Sequence, residues 1–186
     1  MHFANAAAAV VVGKVGSATV NMDEILQYER QLDNSVEHKI FNSKDIDNLT
    51  KSFDDKKIVF TNGCFDILHL GHTKYLQKAK GLGDMLVVGL NSNSSVTRLK
   101  GKTRPINDEF DRAYLLASLE VVDYVIIFEE DTPYELIKQI RPDILVKGAD
   151  YKDKEVVGSD IAKEVKLIEF VDGKSTTNII SKMRLC

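Results

Sequence analysis

From residue 56 onward, short apolar runs alternate with stretches whose apolar positions recur every three or four residues. The runs at 57–61, 84–91, 123–128, 143–147 and 166–170 predict β-strands. The periodic stretches at 71–82, 93–100, 107–120, 132–140, 158–165 and 176–184 predict helices. In the first helix Tyr75, Leu76, Ala79 and Leu82 share one face; in the third, Phe110, Ala113, Leu116 and Ala117 do. Pro105, Pro133 and Pro142 all fall at predicted boundaries, where a missing N–H costs least. Strand–helix alternation of this kind predicts an α/β fold, a parallel sheet flanked by helices. Ligands of such sheets bind beyond the carboxyl ends of the strands, near the point where strand order reverses.

The first 55 residues do not follow this pattern. Asn5 to Val12 reads as a helix stopped at Gly13, and Ser17 to Val20 as a short β-prone piece. Residues 31–55 are polar and charged, with Asn34-Ser35 and Asn42-Ser43 as turn signals, and are expected to be a connector, helical in part. The division is therefore 1–30, a linker at 31–55, and a domain at 56–186. The apolar run Ala6 to Val12 spans seven residues, against the roughly 20 that a membrane helix needs. No basic segment precedes it, so a cytoplasmic protein without a membrane partner is expected.

Charge and cysteine content narrow the function. A formal net charge of −3 argues against general affinity for nucleic acid, so any basic character is local. Two cysteines, Cys64 and Cys186, supply no disulfide framework and suit a reducing compartment. No cysteine–histidine spacing suggests a metal site.

The densest chemistry lies at His69-Leu70-Gly71-His72, after the run Ile58-Val59-Phe60 and the turn Thr61 to Asp66. Two imidazoles three residues apart share a face of the first helical turn. Unpaired backbone N–H groups and the positive helix end favour an anion there. Gly71 removes a side chain where a phosphate would approach the backbone. A strand, a glycine-containing turn and HxGH at a helix start together predict a triphosphate cradle. The ends of the first and fourth strands, Thr61-Asn62-Gly63 and Lys147-Gly148-Ala149-Asp150, are expected to face the same crevice.

The stretch Phe60-Thr-Asn-Gly-Cys-Phe-Asp-Ile-Leu-His-Leu-Gly-His72 resembles the (T/S)xFDxxHxGH signature of the cytidylyltransferase-like nucleotidyltransferases, which have a Rossmann-like fold. Three later segments, Leu99 to Asn107, Val146 to Tyr151 and Asp172 to Ile180, are similar to the adenylyltransferase part of bifunctional heptose-phosphate kinase/heptose 1-phosphate adenylyltransferases of lipopolysaccharide synthesis. The resemblance covers roughly residues 56–184. Residues 1–30 resemble the C-terminal end of a ribokinase-like sugar kinase, which would make that piece a remnant of a covalently linked kinase domain.

The resemblance implies ATP and a sugar phosphate as substrates, with Mg²⁺ bound mainly through the ATP phosphates. Relatives are often dimers, so a homodimer is an implied partner. Nucleotidyl transfer needs no enzyme nucleophile: the protein must hold two anions and neutralise growing charge. His69 and His72 are expected to donate to phosphate oxygens, and Lys100 and Lys102 of the cluster Arg98-Leu-Lys-Gly-Lys-Thr-Arg104 to clamp from the opposite side. Arg98 and Arg104 read equally well as surface charges. Thr61, Asn62, Gly63, Phe65, Gly71, Gly148 and Asp150 are the expected nucleotide contacts. Arg112 matches the family's nucleotide-contacting arginine, and an exposed arginine paired with Asp108 is its bland alternative. Asp66, Lys74 and Lys147 are assigned to the sugar phosphate; for Asp66 a histidine-orienting or turn role stays open.

Ser175-Thr176-Thr177 reads as a helix cap that also binds β and γ phosphates. It parallels the family's RxxGxSTT, although Phe170 stands at the arginine position and Lys174 is a candidate substitute. Other readings keep the fold but change the acceptor to glycerol 3-phosphate, another polyol phosphate or a coenzyme precursor. A nucleotide-sensing module without turnover fits less well, because both histidines, the basic loop and Ser-Thr-Thr are all present. A class I aminoacyl-tRNA synthetase would carry a KMSKS-like loop, which Ser181-Lys182-Met183 is not.

Overall fold

The computed structural model describes residues 10–12, 19, 21, 22, 24, 35–50, 53, 55–151, 155–169 and 175–183. By compactness the chain divides into residues 1–38 and 39–186. In the first unit Val10 to Val12 are helical. Asn21 and Glu24 exchange reciprocal caps, Asn21 N–H donating to Glu24 Oε2 at 3.0 Å and Glu24 N–H to Asn21 Oδ1 at 2.9 Å. The rest of the expected helix from Asn5, and of the strand at 17–20 apart from Thr19, lies outside the described residues.

The second unit is built on six parallel strands: β1 Ile40–Asn42, β2 Ile58–Gly63, β3 Met85–Asn91, β4 Tyr124–Phe128, β5 Ile144–Gly148 and β6 Glu164–Ile168. Their order is β1-β4-β3-β2-β5-β6. Among the described residues five helices join them, α1 Ile46–Thr50, α2 Leu70–Lys80, α3 Asn93–Lys100, α4 Glu109–Ala117 and α5 Tyr134–Ile140, and α6 Thr176–Met183 follows β6. This is the predicted Rossmann-like α/β sheet. The chain steps outward from β2 to β3 and β4, then crosses back to β5, so strand order reverses between β2 and β5.

Strands β2 to β5 are buried on both faces of the sheet, which explains why they read as continuous apolar runs. Period-two alternation sends Ile58, Phe60, Val87, Ile126, Phe128 and Leu145 into one core, with Leu136, Ile137 and Ile140 of α5. Val59, Leu86, Val88 and Val125 alternate with them and are also buried, as are Leu76, Ala79, Leu116 and Ala117 of α2 and α4. The sheet's amino-terminal edge is tied by aspartates. Asp123 Oδ2 accepts from Leu86 N–H at 2.7 Å and Asp143 Oδ2 from Ile58 N–H at 2.8 Å.

Two expectations change. Residues 31–55 were expected to form a polar connector, yet from Lys39 onward they belong to the folded unit. Ile40–Asn42 pairs in register with Val125 to Ile127, and Ile46, Leu49 and Phe53 enter the core. Only three residues long, β1 shows no periodicity, and its apolar partners are spaced among charges. The second change is at 158–165, where no helix forms. Gly158 sits at φ 86°, and a side chain there would meet Ile137 Cδ1 at 2.6 Å. One turn closes when Ile161 and Ala162 N–H both donate to Gly158 O. The chain then enters β6 at Glu164, two residues before the predicted strand.

Candidate active site

A cleft of about 480 Å³ opens beyond the carboxyl ends of β2 and β5, where strand order reverses. Asn62, Gly63, Cys64, Phe65 and Asp66 form its first wall, and Lys147, Gly148 and Asp150 its second. Lys147 Nζ donates to Asn62 Oδ1 and so bridges the two strand ends. Burial pushes the Lys147 ammonium down to about 8, only partly offset by Asp150. Thr61, by contrast, is wholly buried beneath the wall, its Oγ1 2.7 Å from Tyr75 OH.

Between β2 and α2 the backbone is held in unusual conformations. Phe65 has φ 44° and Ile67 φ 60°, left-handed values that cost a bulky side chain about 1–3 kcal/mol each. The intervening Asp66 turns inward and is 2% exposed. Its carboxylate accepts from Ile106 N–H at 2.9 Å, Asn107 N–H at 3.1 Å and Arg104 Nε at 2.6 Å. Burial alone would raise its pKa; these donors outweigh burial and hold it below the usual carboxylate range. Asp66 therefore latches the loop after α3, where a sugar contact was expected. Its carbonyl accepts from Thr176 Oγ1 at 2.8 Å, drawing the start of α6 to the same point.

His69 is the N-cap of α2, its Nδ1 accepting from Gly71 N–H at 3.1 Å. That bond places the proton of a neutral ring on Nε2, leaving Nε2–H as donor. Gly71 itself is buried. The His69 and His72 rings stack with centroids 3.9 Å apart, and Phe65 lies 5.3 Å from His72 on the cleft wall. Burial, reinforced by His69, pushes His72 down to about 4, so it is a neutral imidazole at neutral pH. Its Nδ1 is buried without a hydrogen-bond partner among the described residues. Such an atom costs about 1–3 kcal/mol until something bonds it.

The predicted cations separate sharply. Lys100 lines the cleft. Lys102 and Lys74 are exposed and lie outside its lining. Arg98 leaves the cleft for Asp131 Oδ1 at 2.6 Å and Glu129 O at 2.5 Å. Arg104, for which clamp and surface roles both stayed open, lines it.

Arg112, expected to touch the nucleotide, is fully buried and does not itself line the cleft. Its guanidinium donates to Cys64 O at 2.7 Å, Asn91 O at 2.8 Å, Asn107 O at 3.0 Å and Asn93 Oδ1 at 3.0 Å. It ties the turn after β2, the end of β3, the basic loop and the start of α3 together. Its Asp108 alternative also fails, because Asp108 caps α4 through Phe110 and Asp111 N–H.

Ser175 caps α6 by accepting from Asn178 N–H at 3.1 Å, Thr176 lines the cleft, and Thr177 is exposed outside it. Phe170, Gly173 and Lys174 lie outside the described residues. Sequence reading missed Tyr75 and Asn91 on the cleft lining. Tyr75 carried a signal, since it follows His72 by three residues on one helix face.

Among the described residues no group of three His, Cys, Asp or Glu is placed to hold a metal ion. Asp66 is occupied by its donors and Asp131 by Arg98, which leaves Asp150 at the rim. No described helix is long and apolar enough to cross a membrane.

Residues 60–183 match the family model described as cytidylyltransferase-like. The chain is 67% identical over 187 residues to the "Bifunctional protein HldE" of Nitratiruptor sp., and 61% identical over 188 to that of Aliarcobacter butzleri. Those alignments cover 99% of this chain but 40% and 39% of the relatives, so the chain spans about two fifths of their length. Among solved structures, the lipopolysaccharide core biosynthesis protein of Thermoplasma volcanium is 37% identical with a TM-score of 0.52, covering 64% of this chain and 99% of that one. A pantoate–β-alanine ligase of Francisella tularensis, 18% identical, shares the fold with a TM-score of 0.54, covering 78% of this chain and 77% of that one. With a histidine pair at a helix start, a cleft at the sheet's switch point and a family match over two thirds of its length, the chain belongs to the cytidylyltransferase-like nucleotidyltransferases.

Proposed function

We propose that this chain transfers AMP from ATP to D-glycero-β-D-manno-heptose 1-phosphate, giving ADP-heptose and pyrophosphate. The observation that carries nucleotidyl transfer is the His69–His72 stack, with a buried, partnerless Nδ1 on a helix start that opens into the switch-point cleft. The heptose acceptor is supported by the bifunctional relatives and by the lipopolysaccharide protein of similar fold. On the same grounds we assign residues 1–30 to the end of a sugar-kinase domain.

In this reaction an oxygen of the sugar phosphate attacks the α-phosphorus in line. A P–O bond forms to the sugar phosphate, and the bond from the α-phosphorus to the β-phosphate oxygen breaks, its electron pair leaving with pyrophosphate. Negative charge grows on the α-phosphate oxygens and the leaving group. His69 Nε2–H and the neutral His72 ring meet it as fixed donors, already oriented before reaction. Lys147 and Lys100 supply positive charge on the other walls. A Mg²⁺ bound here would take its ligands chiefly from the ATP phosphates, with Asp150 as a rim oxygen, and would add charge neutralisation. Thr176, on the wall next to Asp66, is suited to the pyrophosphate end.

The test is pyrophosphate release with each of the four common nucleoside triphosphates, against heptose 1-phosphate, glycerol 3-phosphate and other polyol phosphates. Release with ATP and heptose 1-phosphate above all other pairs is expected. Preferred use of CTP with glycerol 3-phosphate would overturn the reading.

A further inference from the structure

We propose that Arg104, held in place by Asp66, is a phosphate-binding residue of the cleft, and that Asp66 acts through it as a positioning residue. This rests on the nucleotidyl-transfer reading and adds to it a cation and the group that aims it.

Of the arginines in the basic stretch, only Arg104 combines access to the cleft with burial. Its side chain is 18% exposed and lines the cleft, whereas Arg98 is bound outward to Asp131 and Glu129. The Asp66 carboxylate takes Nε at 2.6 Å, which uses one edge of the guanidinium. Neither terminal amino group of Arg104 has a hydrogen-bond partner among the described residues. A guanidinium carries five N–H donors in a rigid fork, so four remain on a largely dehydrated group beside an open cleft. That fork matches two oxygens of one phosphate, and a bidentate charge-assisted pair is among the stronger contacts available to a protein.

The arginine is also set rigidly. Its N–H donates to Gly101 O at 3.0 Å, and its carbonyl accepts from Thr97 Oγ1 at 2.8 Å. Asp66 completes the placement from 38 residues earlier in the chain. Because Ile106 and Asn107 N–H already share the Asp66 charge, the pair is not a closed ion pair, and Arg104 keeps positive potential to offer. Asp66 lies three residues before His69 and also holds Thr176, so one residue fixes the arginine relative to both other anion-facing elements.

The anion is a phosphate oxyanion, either of the nucleotide triphosphate or of the acceptor's phosphate. Isothermal titration of the full chain with ATP, inorganic tripolyphosphate and heptose 1-phosphate separates these sources. Arg104→Ala should weaken at least one of the three about tenfold or more while Tm and circular dichroism stay near wild type. Arg104→Lys should recover part of the loss, and Lys166→Ala, an equal loss of charge on edge strand β6, should change nothing. Loss with ATP and tripolyphosphate assigns the arginine to the nucleotide; loss with the sugar phosphate alone assigns it to the acceptor. Unchanged affinity for all three in folded Arg104→Ala overturns the proposal.

For the positioning role, Asp66→Asn should weaken the same ligand in the wild-type background and add little in the Arg104→Ala background. Equal losses in both would overturn it. Should Asp66→Asn be unfolded, Thr97→Val loosens the arginine from its other side; it should weaken that ligand several-fold, and no change overturns the positioning claim. Failure of the transfer reading is distinct: wild-type protein would bind these ligands Arg104-dependently yet release no pyrophosphate with any acceptor.

Discussion

The two anion-facing walls of the cleft are built by different physics. The wall at the start of α2 is local: His69 caps a helix that begins one residue later, its ring takes Gly71 N–H, and His72 follows one turn on. The loop wall between α3 and α4 is assembled from afar. Its cations are sorted by Asp131 and Asp66, both more than 30 residues away in sequence, and its backbone is drawn in by Asp66 and Arg112. The first wall is specified wherever its short motif starts a helix after a strand. The second exists only once the sheet has closed. A motif that completes its own hydrogen bonds is legible one residue at a time, whereas a basic loop is a set of interchangeable cations until tertiary partners choose among them.

The sharpest way to break this comparison is at the histidines. His69→Ala and His72→Ala should each lower turnover by about 10² or more, the effect of losing a preorganised donor to developing charge. Circular dichroism should stay native, and Tm near or above wild type for His72→Ala, since a partnerless buried nitrogen is removed. Near-normal turnover in either purified variant would leave the local wall without a catalytic part.

Arg112 tests the distant wall at its root. Arg112→Met removes four hydrogen bonds from a buried charged donor and should cost about 3 kcal/mol or more of stability in urea unfolding. Turnover should fall as well, although the side chain touches no cleft space. If stability holds and only the KM for ATP rises, Arg112 reaches the nucleotide directly, as its family match implied.

The lysines sharpen the contrast within one loop. Lys100→Ala should raise the KM for ATP or the sugar phosphate several-fold, and Lys102→Ala should change it by less than about twofold, a rim charge being well screened. Equal effects would mean that sorting by tertiary contacts does not govern the loop.

The smallest effect is in pH. The Lys147 ammonium is charged below about 8 and loses its proton above it, so affinity for the sugar phosphate should decline as pH rises through about 8 and flatten in Lys147→Met. His72 titrates at about 4 in the folded chain and near 6.5 when unfolded, so the unfolded state binds the extra proton between these values. Its contribution therefore costs stability as pH falls from 6.5 towards 4, and His72→Gln should reduce that acid sensitivity. A pH–stability curve unchanged by the substitution would contradict the depressed pKa.

Sequence by itself determined the sheet and the histidine wall. Five strands and five of the predicted helices appear at their expected places, because apolar periodicity and helix capping act within a few residues. It also placed Asn62, Gly63, Lys147 and Gly148 together, since the strands of a parallel sheet all end at one edge, where ligands bind. It could not see β1, whose three residues are held by pairing with Val125 to Ile127 and by core packing of Phe41, nor the left-handed Gly158 that opens a seemingly helical stretch. It could not tell Arg104 from Arg98, or foresee that Asp66 and Arg112 tie distant backbone segments of the cleft walls together. Those outcomes depend on which donors and acceptors, tens of residues apart, are left to one another after water has been excluded, and only the folded chain makes that choice.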